Sequence, residues 1–60
     1  MPVEIGLADG TKLVLANPNA QEDDVVQTIR EDPGGVVSLV THDGTYRVQI
    51  RNVVYVRTVH

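Results

Sequence analysis

Few residues of this chain have the types and spacing that catalysis needs. The chain has one serine, Ser38, two histidines, His42 and His60, and no cysteine. A catalytic triad requires a nucleophile, a base and an orienting acid that meet in a cleft. Ser38 falls inside a predicted strand, and His42 and Asp43 fall at a predicted hairpin tip. We therefore expect no catalytic residue, and the protein is predicted not to be an enzyme.

Carboxylates cluster at two places, Glu22–Asp24 and Glu31–Asp32. Their spacing does not match a Ca²⁺ loop, which places ligands at alternating positions around a central glycine. The glycines form no phosphate-binding loop followed by Lys and Ser or Thr, and no dinucleotide fingerprint. The sequence therefore predicts no metal site and no cofactor.

Aromatic and cationic residues recur near the end of the chain. Small β-barrels bind nucleic acid strands by stacking bases on aromatic rings flanked by cations. The candidate nucleic-acid face consists of Arg47, Arg51, Tyr55 and Arg57. The formal net charge of −3 and the pI of about 5.0 weigh against a general phosphate-backbone binder. Nucleic-acid binding by a small regulator is therefore the alternative hypothesis.

The last strands carry more apolar side chains than a small domain can bury. The expected core positions are Val37, Leu39, Val54 and Val56, and apolar residues also occupy the opposite parity, at Val36, Val40, Val53, Tyr55 and Val59. Exposed apolar surface marks protein–protein contacts. The candidate interaction residues are Val53, Tyr55, Arg57 and Val59. The competing interpretation is that the helix and first hairpin cover this face and a barrel closes.

Charge is distributed unevenly along the chain. Residues 1–32 hold seven acids against two bases, for −5, and residues 33–60 hold one acid against three arginines, for +2. These charges either balance within one molecule or let two copies dock. A 60-residue chain buries little surface, and subunit association is one common remedy. Our main hypothesis is a non-enzymatic protein-interaction module that self-associates or docks on a larger protein.

Local patterns predict a single small domain over residues 1–60, mainly β within the α+β class. Asp9-Gly10 and Asp43-Gly44 are hairpin signals between apolar runs. Asn19 is the expected N-cap of one short helix over about residues 20–31, which ends before Pro33. The predicted architecture is a small barrel-like bent antiparallel sheet with element order β-β-α-β-β-β.

The turn and core residues resemble those of small flagellar-operon proteins of the FlbD type. The matching positions are Leu7, Gly10, Leu13-Val14-Leu15, Val26, Ile29, Pro33, Gly44 and Tyr46. Residues 53–59 look like a strand where that family continues as a helix. The architecture is also similar to Src-homology-like small barrels, whereas Sm-like proteins place the helix before the strands. These resemblances imply a fold, and we carry no function over from them.

The sequence contains no signal-peptide pattern and no apolar run of the roughly 20 residues that span a bilayer. We therefore expect a cytoplasmic or particle-associated protein that is not secreted by a signal peptide and has no membrane partner. A virus-encoded accessory or structural protein is a further expectation, drawn from chain length alone.

Overall fold

The computed structural model describes residues 1–60 and contains five strands and one α-helix. A short 3₁₀ helix, Ile50–Asn52, separates the last two strands. The element order β-β-α-β-β-β is the predicted one. The elements are β1 (Val3–Leu7), β2 (Lys12–Val14), α1 (Glu22–Glu31), β3 (Val36–Thr41), β4 (Gly44–Gln49) and β5 (Val53–Thr58).

The strands form two antiparallel sheets. The terminal sheet has the order β2-β1-β5, and the hairpin sheet consists of β3 and β4. An isolated bridge between Leu15 and Thr41 joins them, beside a bond from the Ala16 N–H to the Val40 carbonyl of 2.9 Å. The prediction of one bent sheet was therefore wrong, and no closed barrel is found. Strand β2 ends at Val14, and the Leu15 bridge that follows is the link between the sheets.

The core forms where the two sheets face each other. Ile5 and Leu13 of the terminal sheet and Leu39 and Val48 of the hairpin sheet make one buried cluster. Leu39 confirms the parity predicted for β3. Tyr46, which pairs with Leu39 across the strands, is 38% exposed.

A β-bulge in β5 changes which valines face the core. Leu7 pairs with Val53 and Gly6 pairs with Tyr55, so Val54 has no partner on β1. The extra residue shifts the alternation by one position. Val53 and Val56 both pack against the core, whereas Val54 is 67% exposed. The core assignment was therefore wrong for Val54, and Val53 does not lie on the face predicted for it.

Helix α1 begins later than predicted and without the predicted cap. Gln21 occupies the N-cap position and makes no side-chain cap bond. The Asn17 side chain accepts a bond of 2.9 Å from the Asn19 N–H, which makes a turn before the helix. Glu22 instead reaches β5, where it accepts bonds from the Thr58 N–H at 2.9 Å and the Thr58 hydroxyl at 3.4 Å. The helix start is thus tied to the outer edge of β5.

Candidate interaction surfaces

Glu4 is the polar centre of the outer face of the terminal sheet. One carboxylate oxygen, Oε2, accepts a bond of 2.7 Å from the Tyr55 hydroxyl and one of 2.8 Å from the Arg57 Nε. Glu4 is only 8% exposed, although it lies on the side of β1 away from the core. Tyr55 and Arg57 therefore cover the carboxylate and also satisfy it.

Gly6 allows the Tyr55 ring to lie flat on the sheet. Gly6 and Tyr55 are direct partners in the pairing of β1 with β5. A β-carbon built on Gly6 would fall inside the Tyr55 ring. Glycine is therefore required at this position by close packing, since its φ is not in the left-handed region.

The hydrogen bonds set the ionisation of this cluster. The bond from Tyr55, followed by the bond from Arg57, holds the pKa of Glu4 below its ordinary value. The same bond to Glu4 raises the pKa of Tyr55. Glu4 is therefore a partnered anion at neutral pH. A carboxylate with a lowered pKa and two donors on one oxygen is a weak proton acceptor.

The candidate nucleic-acid face is divided between the two sheets. Tyr55 and Arg57 lie on β5, and both are turned toward Glu4. Arg47 lies on β4, and Arg51 lies in the 3₁₀ helix, where its Nε donates to the Gln49 side chain at 2.8 Å. The structure brings Tyr55 and Arg57 together and leaves the other two in the hairpin sheet and the turn that follows it. Nucleic-acid binding by this set stays a prediction.

The four candidate interaction residues also do not make one open apolar face. Val53 packs against the core, and Tyr55 and Arg57 cover Glu4. Val59 is half-buried, and its N–H donates to the Pro2 carbonyl at 2.8 Å. The alternation of residues 53–59 could not reveal this, because the bulge is set by pairing with a strand 50 residues away in sequence.

Besides Val54 of the terminal sheet, two exposed valines lie on the outer side of the hairpin sheet. Val36 is 53% exposed and Val40 is 57% exposed. Across the strand pair, Arg47 stands opposite Ser38, between the two valines. Residues directly opposite share one face of a sheet. We name this outer surface the valine–arginine face, and it consists of Val36, Ser38, Val40, Thr45, Arg47 and Gln49.

The chain pairs few of its charges internally. The ion pair between Arg57 and Glu4 is the one salt bridge in the structure. Arg47 and Arg51 have no acidic partner, and the acids at either end of α1 have no basic partner. Direct ion pairing within the chain therefore involves one pair of charges.

The tip of the β3–β4 hairpin is held by Asp43. Its carboxylate accepts bonds from the Thr41 hydroxyl and, at 3.0 Å, from the Tyr46 hydroxyl. These bonds lower the pKa of Asp43 and raise that of Tyr46. Asp43 therefore orients the turn and the ring of Tyr46 rather than the neighbouring His42.

No group of three or more His, Asp or Glu side chains lies close enough to hold a metal ion. The ten residues of α1 are too few and too polar to cross a bilayer.

The fold and its surfaces define a small α+β domain with a covered terminal sheet and an open hairpin sheet. No protein-family model, curated protein or solved structure matches the chain.

Proposed function

We propose that this protein is a non-enzymatic protein-interaction module that self-associates through the valine–arginine face. The observation that supports the proposal is the pair of exposed valines, Val36 and Val40, on either side of Arg47, which has no acidic partner. Exposed apolar side chains beside an unpaired cation are typical of a contact between proteins.

The apolar part of this contact is small. Burying a valine side chain completely gains about 1.5–3 kcal/mol, and Val36 and Val40 already have part of their surface covered. Two such valines do not outweigh the cost of association by themselves. Charge must therefore contribute, and we expect an association that weakens as salt is added.

The opposite charge is present on the same chain. Asp23, Asp24 and Glu31 lie on the exposed side of α1, and none of them has an ion pair. The helix of one copy can therefore complement Arg47 of the next. Such a contact joins two different surfaces, and it generates a ring or an open chain of subunits rather than a two-fold dimer.

Molar mass measured by light scattering over a tenfold dilution, in low and in high salt, tests this proposal. We expect assemblies at low salt that dissociate on dilution or at high salt. The Val40→Ser and Arg47→Glu variants should each shift the equilibrium toward monomer. Val54→Ser is the matched control, because Val54 is as exposed but lies in the terminal sheet.

Two results would count against the proposal. One is a monomer under every condition. The other is an assembly that Val54→Ser weakens as much as Val40→Ser does, since the contact would then not lie on the valine–arginine face.

A further inference from the structure

The outer edge of β4 presents main-chain groups that have no partner. The bond from the Ile50 N–H to the Gly35 carbonyl, 3.0 Å long, continues the ladder between β3 and β4. In an antiparallel pair, every second residue bonds across the pair and the others point outward. The outward residues of β4 are therefore Thr45, Arg47 and Gln49. The β3–β4 ladder does not use the N–H groups of these three residues or the C=O groups of Thr45 and Arg47, whereas the Gln49 C=O lies at the N-cap of the 3₁₀ helix.

At each of the two sheet edges next to α1, one main-chain group is bonded within the chain. At β5, the Glu22 carboxylate accepts the Thr58 N–H. At β3, the Val40 carbonyl accepts the Ala16 N–H. Proteins usually cover an edge strand or break its pairing, because an open edge accepts another strand. The edge of β4 has neither form of cover.

A groove runs beside this open edge. Its volume is about 370 Å³, and its lining includes Leu7, Val48, Asn52 and Arg47. Asp9 also lines the groove, and its carboxylate already accepts the Thr11 N–H at 2.9 Å. A strand added along β4 would place every second side chain beside Val48 and the others beside Arg47.

We propose that β4 binds an extended acidic segment of a partner protein by strand addition. The segment pairs with Thr45, Arg47 and Gln49 through its main chain, as in other edge-strand complexes. An acidic residue lies opposite Arg47, and β-branched apolar residues on either side of it point toward the groove. Charge complementarity favours this occupant, because Arg47 and the nearby Arg51 have no acidic partner.

This site shares Arg47 with the proposed self-association, but it differs by using the main-chain edge of β4, which the self-association does not need. The two can be separated by recording molar mass in the same samples. Peptide binding by the monomer supports the strand-addition site whether or not the chain also assembles.

The probe is a capped seven-residue peptide, Ser-Thr-Val-Glu-Val-Thr-Ser, titrated calorimetrically into the dilute protein at low salt. A peptide with lysine in place of glutamate should bind at least about tenfold more weakly, with a smaller difference at high salt. Methylating the amide nitrogen of the glutamate should abolish binding. Methylating both valine nitrogens, which point away from β4, should not.

Two variants of Gln49 together isolate its N–H, because both remove the side chain that accepts the Arg51 Nε. The Gln49 φ of −69° suits proline, and its N–H points outward, so Gln49→Pro removes one donor without breaking the β3–β4 ladder. We expect Gln49→Pro to weaken peptide binding about two- to tenfold. Gln49→Ala keeps the N–H and should bind like the wild type. Amide exchange at Thr45 and Arg47 should slow when the peptide is bound.

Three results would overturn the proposal. They are the absence of saturable binding at millimolar peptide, equal binding of the glutamate-methylated and unmethylated peptides, and exchange protection confined to strands other than β4.

Discussion

The terminal sheet and the hairpin sheet differ in how far the groups on their outer faces and edges are covered. On the terminal sheet, Tyr55 and Arg57 cover Glu4, and α1 protects the edge of β5. On the hairpin sheet, two valines and the edge of β4 remain open. Both sheets supply residues to the same core, so the difference concerns only the sides that face outward. Apart from the exposed Val54, the terminal sheet partners the groups of its outer face within the chain, whereas the hairpin sheet leaves groups that a partner can satisfy.

The largest expected effect is the loss of stability when a residue of the shared core, rather than one of the open face, is truncated. Ile5 is 1% exposed, and Ile5→Ala should cost about 2–5 kcal/mol in free energy of unfolding. A domain of this size has only about 3–9 kcal/mol in total, so most of its stability should be lost. Val40→Ala, on the open face, should change stability by about 0.5 kcal/mol or less. Urea denaturation followed by circular dichroism measures both values, and equal losses would contradict the division.

The next effect concerns the close packing of Tyr55 on Gly6. Gly6→Ala should destabilise the wild type by about 1–3 kcal/mol, because the new methyl group displaces the ring. In a Tyr55→Ala background, the same change should be neutral or stabilising, since alanine favours strands more than glycine does. The double-mutant cycle gives the coupling between the two positions. A coupling near zero would show that the ring does not need glycine beneath it.

The smallest effect is the pH dependence that Glu4 contributes. The pKa of Glu4 is lower in the folded chain than its ordinary value, so the unfolded chain binds more protons in the acid range. The stability that Glu4 contributes is complete above the ordinary carboxyl pKa and is lost as the pH falls through the folded value. Glu4→Gln should therefore flatten the acid limb of a plot of urea midpoint against pH. An acid limb identical to that of the wild type would assign this dependence to other carboxylates.

Short-range features of the fold could be predicted from the sequence. The two Asp-Gly hairpins, the single helix and the element order follow from turn chemistry and local periodicity. The alternation of buried Leu13 with exposed Val14 is also local. Such features depend on neighbouring residues, which the sequence displays directly.

Features that depend on distant pairing could not be predicted. The bulge at Val54 is set by the alignment of β5 with β1, and it moved Val53 from the predicted outer face to the core. The covering of Glu4 by Tyr55 depends on the same alignment. The open edge of β4 follows from the division into two sheets, which is also a matter of pairing between distant strands. The alternation of side chains within one strand does not show how that strand aligns with a distant one.

The pairing of β1 with β5 also limits the rate at which this chain folds. Val3 lies opposite Thr58, so the first strand of the sheet must find the last one across nearly the whole sequence. Closing so long a loop is slow compared with forming either hairpin, and domains rich in such contacts fold in milliseconds to seconds. During synthesis, β1 and β2 emerge early but must wait for β5 before the terminal sheet is complete. Until then, Glu4 has neither of its two hydrogen-bond donors.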